Sequence, residues 1–350
     1  MTDSPDSVAN LNGMFALRRL FGAQEIQPHQ PGQKLIKKFG RRGKKKGEFN
    51  MMTGIAVTKT GDIVIADTEN HRIQIFTNDG EFVRKFGDSN DPDLRLHYPV
   101  CVAMTPEDHV AVTDAVNQRV KIFSQSGELV SAYGEKILEY PYGLAVAENL
   151  IVCTDLYRHS VVIINCITGA KTNEFGKYGD SPLEFDHPYH VAVTMDKRIV
   201  VSDYGNSCIK IFRFDGRPVN FYSIADFKIQ GELYITLQGV CIDGDNNVLV
   251  ICNSTIYVLA ESGRLWEAIL PSDGLTAPKC IAFSPFNQIV ITQYDVGFKH
   301  DVLIYEYNPD DFKSLKFFHA SAAGSIYPRS TAASACKTMS RPTTSKGSAT

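Results

Sequence analysis

Residues 54–87 read GIAVTKTGDIVIADTENHRIQIFTNDGEFVRKFG, and the punctuation of this stretch decides the fold. Short apolar runs alternate with turn residues: Gly61, then the polar step from Asp67 to Arg72, then Asn78-Asp79-Gly80. That pattern predicts four short strands joined by hairpins, over Gly54–Val57, Asp62–Ala66, Arg72–Phe76 and Glu81–Phe86. The phrase recurs along the chain. Gly80, Gly127, Gly169, Gly216 and Gly263 open the last turn of successive copies and step by 47, 42, 47 and 47 residues. Aromatic-Gly pairs close the first three copies at Gly87, Gly134 and Gly176. A period in the forties with several strands per unit is that of a propeller blade. The chain divides into six units, roughly 48–87, 98–134, 140–176, 187–222, 233–270 and 278–318. The fold class expected is all-β, a six-bladed β-propeller occupying residues 34–318.

Residues 1–33 are weakly patterned and read as a poorly ordered N-terminal segment, with a short apolar helix near Met14 to Phe21. Residues 319–350 form a Ser/Thr-rich tail that holds Arg329, Lys337, Arg341 and Lys346 and no acid. Such a tail cannot repay the entropy of ordering and is expected to be disordered. A propeller closes its ring, which removes exposed sheet edges. Leu35 to Phe39 reads as an outer strand whose own blade is missing and would complete unit six, joining N- and C-terminal strands. Ser314 to Phe318 is a second source for the same strand, and the sequence leaves both open.

Bulk properties exclude several classes. The chain of 350 residues is 43% hydrophobic and 21% charged with a net charge of −3, so nothing global draws it to nucleic acid or an acidic membrane. No run approaches a spanning helix, and the N-terminus lacks the basic start and apolar stretch of a secretory signal, so cytoplasmic placement without membrane contact is the default. The eight cysteines show no paired CxxC spacing and read as buried free thiols. No cofactor is expected. Neither a Ser-His-Asp order nor a phosphate-binding loop marks an enzyme.

The motif at 67–76, DTENHRIQIF, following Gly54-IAV and preceding Phe86-Gly87, resembles the NHL repeat. Unit one is also similar to the corresponding repeat of tripartite-motif NHL proteins, down to Gly43-KKKGEF. The resemblance covers roughly residues 34–318. It implies a non-enzymatic six-bladed propeller used as a binding platform, for proteins in some members and for RNA on one face in others. In larger members RING, B-box and coiled-coil segments confer ubiquitin-ligase activity. These 350 residues hold no Cys/His array with RING spacing and no long heptad run, so ligase activity is not carried over and a ubiquitin-linked role stays an analogy. The repeat also erodes. Units one and two keep Asp67, Asn70 and Arg72, and Asp114, Asn117 and Arg119. Unit three has Arg158 and Ser160 after Asp155, unit four has Cys208 after Asp203 and Asn206, and unit five has Asn253 in place of the Asp.

The Asp, Asn and Arg of each copy sit where the second strand turns into the third. A carboxylate capping turn amides and meeting an Arg fork would tie the hairpin down, and direct ligand contact by Arg72 or Arg119 is the competing role. The sharpest surface feature is the acid-free run 34–46, with Lys38, Arg41, Arg42, Lys44, Lys45 and Lys46. Clustered cations on one loop can engage phosphates, with Arg119 and Arg158 extending the patch and Tyr142 and Tyr189 stacking on bases. Equally, a Lys-rich edge resists aggregation and tyrosines fill blade interfaces. The favoured reading is a monomeric scaffold or adaptor for a protein partner of unknown identity; the alternative is RNA binding through this basic loop.

At one inner-strand position units two, four and six carry Cys101, His190 and Cys280, where the others have Gly54, Gly143 and Gly239. Thiolate and imidazole suit zinc, but alternate blades are expected to hold these side chains ~8 Å or more apart, beyond ligand reach. The resemblance extends to a lyase whose similar propeller holds a metal with three histidines. Here only His190 is of that type, so a metal centre is not expected.

Overall fold

A computed structural model describes residues 33–223, 236–260, 264–269, 273–295, 299–308 and 318–319. Most of the expected N-terminal segment, its helix near Met14 and the tail beyond His319 lie outside these residues. Blade I consists of Met52–Val57, Ile63–Asp67, Arg72–Phe76 and Phe82–Phe86, paired antiparallel in sequence order from the ring centre outwards. Five further sheets complete the ring, with inner strands Pro99–Met104, Pro141–Ala147, Pro188–Val193, Leu237–Ile242 and Pro278–Ser284. Among the described residues no helix is long and apolar enough to cross a membrane.

The choice left open for ring closure is resolved. Leu35–Phe39 pairs with His300–Glu306 and is the outer strand of blade VI, with Lys38 opposite Leu303 and Phe39 opposite Val302. Residues 314–317 lie outside the described residues. Phe318–His319 pairs instead with Arg264–Ile269, as a fifth strand on blade V.

Hydrophobic burial is organised between blades. Each of six apolar clusters joins two neighbours: Ala56, Val64 and Ile73 of blade I meet Val102, Val112 and Phe123 of blade II. The last cluster seals the ring, with Cys280, Val290 and Ile304 of blade VI against Ile55, Ile63 and Phe76 of blade I, and Phe39 packed on them. This explains the unbroken apolar second strands, such as Ile63–Asp67, buried along its whole length. Middle strands are covered on both faces by adjacent blades, so they lack the polar alternation of a half-exposed sheet.

All six inner strands break register with the second strand at the same level, for example between Met52 and Gly54 and between Pro188 and Val191. There the blades approach most closely. A Cβ on Gly143 would sit 2.3 Å from the Tyr189 carbonyl oxygen, and one on Gly54 2.6 Å from that of Val100. Hydroxyl side chains staple the level: Thr113 Oγ1 accepts from the Cys101 amide and donates to the Tyr142 carbonyl, and Thr154 Oγ1 links Gly143 to Tyr189 in the same way.

Antiparallel order also fixes the faces. Each inner strand starts from the end at which the previous outer strand stops. Interblade connections and the turns between second and third strands therefore share one face of the ring, the connection face. The two remaining turn types share the opposite face.

Candidate binding face

The connection face is built on buried carboxylates. Asp67, fully buried, accepts from the Asn50 amide at 2.7 Å, from Arg72 Nε at 2.7 Å and from the side chains of Asn70 and Gln74. Burial raises its pKa, against the pull of these donors. Arg72, 3% exposed, sends its remaining donors to the carbonyls of Lys44, Lys45 and Glu48, each at 2.8 Å. As a surface contact Arg72 is thus ruled out by geometry: its guanidinium holds the loop entering blade I. Of the expected tie, the carboxylate meets the Arg fork, but it does not cap the turn amides: those of Thr68 and Glu69 donate to the carbonyls of Met51 and Asn50 instead.

In blade II the expected partner differs. Asp114 pairs with Lys121 at 3.2 Å, while Arg119 turns outwards to Glu135. Blade IV repeats the substitution, Lys210 meeting Asp203 at 2.8 Å and donating to the Ser181 carbonyl. Both lysines are buried. Sequence reasoning missed them because it followed the Arg of the motif. The signal was there: they stand two residues further along the strand, at the position of Gln74, on the same side of the pleat. In blade III no cation among the described residues meets Asp155, which accepts from the amides of Glu139, Tyr140, Tyr157 and Arg158.

Most of the basic residues singled out from the sequence are tied to acids. Lys38 pairs with Asp301 at 2.8 Å, Arg41 with Glu48 at 2.9 Å and Arg158 with Glu174 at 2.7 Å and Glu139 at 2.9 Å. Arg42 is exposed and has interactions of its own. Lys44, Lys45 and Lys46 are exposed, and Lys46 Nζ lies 5.2 Å from the Phe82 ring centroid. Their backbone is fixed from below, by Arg72 and by Glu48, which accepts from the amides of Lys44 and Lys45.

The same loop recurs before blade IV. Parallel bridges join Arg42 to Phe49 and Tyr178 to Phe185, and Glu184 accepts from the Ser181 amide as Glu48 does from Lys45. Asn70 and Asn206 bond the carbonyls of Gly43 and Gly179 alike. The two sequences are GKKKGEF and GDSPLEF. Glycine, glutamate and phenylalanine are common to both and the lysines are not.

Tyr142 and Tyr189 stand at the channel mouth, stacked on one another at 4.6 Å, and Tyr204 stacks on Tyr189 at 4.2 Å. Their faces therefore meet one another. Exposed apolar side chains on this face are Val116, Tyr157, Tyr178 and Leu183.

Deeper in the channel, the separation expected for the Cys/His set is corrected. Cys280 Sγ lies 3.9 Å from His190 Nδ1, because the bulged inner strands converge. Both are kept neutral by burial, which pulls His190 down to about 4 and pushes the Cys280 thiol up. Among the described residues one group has three donor atoms close enough for an ion, His159, Asp186 and His187. There His159 Nδ1 accepts from the His187 amide at 3.2 Å, as His71 Nδ1 does from the Tyr98 amide at 3.1 Å. This is a clip between neighbouring blades, made twice.

Comparisons agree with this architecture. The NHL repeat model matches residues 49–76 and 96–123, the entry loop and first three strands of blade I and their counterparts in blade II. Over 51 residues the chain is 49% identical to Protein brain tumor of Drosophila melanogaster, covering 15% of this chain and 5% of that protein. Over 52 residues it is 46% identical to Tripartite motif-containing protein 2 of Homo sapiens, covering 15% and 7%. The match spans a small fraction of either relative. Among solved structures, a gluconolactonase from Xanthomonas campestris superposes with a TM-score of 0.56 at 17% identity, over 80% of this chain and 99% of that one. Virginiamycin B lyase from Staphylococcus aureus gives 0.52 at 16%, over 79% and 89%. At these identities the likeness is one of fold. The molecule is thus a six-bladed β-propeller. It carries NHL repeats, similar to those of the brain tumor and tripartite-motif proteins.

Proposed function

We propose that this propeller is a non-enzymatic protein-interaction scaffold and that the connection face is its recognition surface. One observation carries the reading. The loop entering blade I reproduces the loop entering blade IV without needing its lysines, so Lys44, Lys45 and Lys46 are surplus to folding and are presented on a backbone that Arg72 holds still. A pre-organised charged loop loses little entropy on binding. The surrounding face mixes both signs, through Arg41–Glu48, Arg119–Glu135 and Arg158–Glu139, and exposes Tyr157 and Tyr178. That mixture suits a protein surface better than a phosphate backbone, which calls for continuous positive charge. The likeness to tripartite-motif proteins supports the scaffold role, and a ubiquitin-linked pathway is the setting it brings by analogy.

The lysine run also supports a second reading, RNA binding on the same face. Fluorescence anisotropy with a labelled random RNA pool at two salt concentrations separates the two, comparing wild type with Lys44→Ala/Lys45→Ala/Lys46→Ala. The expected result is weak binding that vanishes at physiological salt. Sub-micromolar, motif-selecting binding that survives this salt and is lost in the variant would replace the protein reading with the RNA one.

A further inference from the structure

We propose that the channel mouth on the connection face is a socket for one carboxylate, an acidic side chain of the protein partner, held by Lys279 and the phenols of Tyr142, Tyr189 and Tyr294. This deepens the scaffold reading and rests on it.

The second residues of the six inner strands form one level of the mouth: Thr53, Val100, Tyr142, Tyr189, Gln238 and Lys279. Lys279 brings the only charge at this level. It is half-buried, and among the described residues its ammonium makes no ion pair or hydrogen bond; it lies 5.3 Å from the Tyr294 ring centroid. Burial alone lowers its pKa. The cation has given up water without gaining a counter-charge, and a ring face offsets that cost only in part.

The surroundings supply donors. Tyr294 is pushed up to about 12, by burial first and then by the phenols of Tyr98 and Tyr189. Blades IV and VI converge beside this level: one residue further along the same two inner strands, Cys280 Sγ lies 3.9 Å from His190 Nδ1. These phenols keep their protons at neutral pH. The hydroxyls of Tyr142, Tyr189 and Tyr294 have no hydrogen-bond partner among the described residues. Stacking of Tyr142 on Tyr189 and of Tyr189 on Tyr204 fixes two of the rings in place.

One ammonium and several neutral O–H donors match a monovalent group that only accepts hydrogen bonds. A carboxylate meets that description. A phosphate chain would want further cations, whereas Glu69 adds negative charge that helps to raise the Tyr294 pKa. Lys44, Lys45 and Lys46 on the rim of the same face can receive other acids of the same partner segment.

Peptide display against the full chain tests this, with random peptides displayed internally so that none offers a free C-terminus. Enriched peptides should share Asp or Glu at one fixed position. Replacing it with the amide should weaken binding about tenfold or more, the scale of a charge-assisted hydrogen bond. Lys279→Met should abolish the difference between acid and amide, while Lys279→Arg should keep part of it. Enriched peptides without a fixed acid, or an acid preference intact in Lys279→Met, would overturn the socket and leave the scaffold standing. Absence of any enrichment would count against both. Preference for synthetic peptides with a free C-terminus over acidic side chains would also overturn it, as would loss of labelled RNA binding in Lys279→Met with acid and amide peptides bound alike.

Discussion

Arg72 and Arg119 occupy equivalent places in two copies of one motif, yet they do different work. Arg72 is buried on Asp67 and three loop carbonyls, and its removal strands a buried carboxylate. Arg72→Ala should cost about 3–5 kcal/mol in urea unfolding. Arg119 meets Glu135 with 38% of its side chain exposed, and Arg119→Ala should change stability by less than about 1 kcal/mol. Equal effects would refute the division of roles. His190 offers a test by pH. Its pKa falls from the ordinary 6.5 to about 4 in the fold, through burial. Stability from keeping it neutral is complete above pH 6.5 and is lost as pH falls towards 4. Between pH 7 and pH 5 the wild type should lose about 2 kcal/mol more than His190→Asn, measured by urea unfolding at each pH. Equal losses would mean that His190 protonates as readily in the fold as out of it.

At the scale of the strand, sequence and structure part company in instructive places. Third strand Arg72–Phe76 is legible to the residue, because turn chemistry brackets it. Inner strand Met52–Val57 begins two residues before the predicted start at Gly54. The bulge there is imposed by the neighbouring blade, and no local signal announces it. Lys121 and Lys210 escaped notice for a related reason. Their lysine type suggests solvent, and only the facing carboxylate of the second strand draws them inside. Lys279 was missed because its meaning depends on five other inner strands at the same level. Close approach at that level predicts a cost for the smallest enlargement. The carbonyl of Tyr189 and the Cα of His190 leave no room for a Cβ on Gly143. Gly143→Ala should destabilise by about 1–3 kcal/mol, read from the urea midpoint, with a shift near zero contradicting the tight contact.

At the scale of the molecule, six interblade clusters replace a single central core, so the ring is only as strong as its closure. Leu35–Phe39 completes blade VI, and Phe39 packs across the seam onto Phe76 at 5.1 Å. A chain starting after Gly40 should unfold at a lower temperature, with a broadened transition that begins at blades VI and I. An unchanged melting curve would show that the strand is dispensable. Fold class was readable because repetition multiplies a weak blade signal several times over. The proposed binding face was only half readable: charge runs show in a sequence, but the acid that neutralises Lys38 is Asp301, at the far end of the chain, and those that meet Arg158 come from other strands and loops, Glu139 and Glu174. Conversely, equivalence of the GKKKGEF and GDSPLEF loops emerges only when both are seen to share their hydrogen bonds.

The most direct measurement is hydrogen–deuterium exchange on the full chain, with and without a peptide enriched by display. Protection should be confined to the connection face, over the loop 40–51, the connections ending at Tyr98 and Tyr140, and the turns 68–71 and 156–159. Protection at turns 58–62 and 105–109 on the opposite face instead, or no difference at all, would contradict a recognition surface built on these connections.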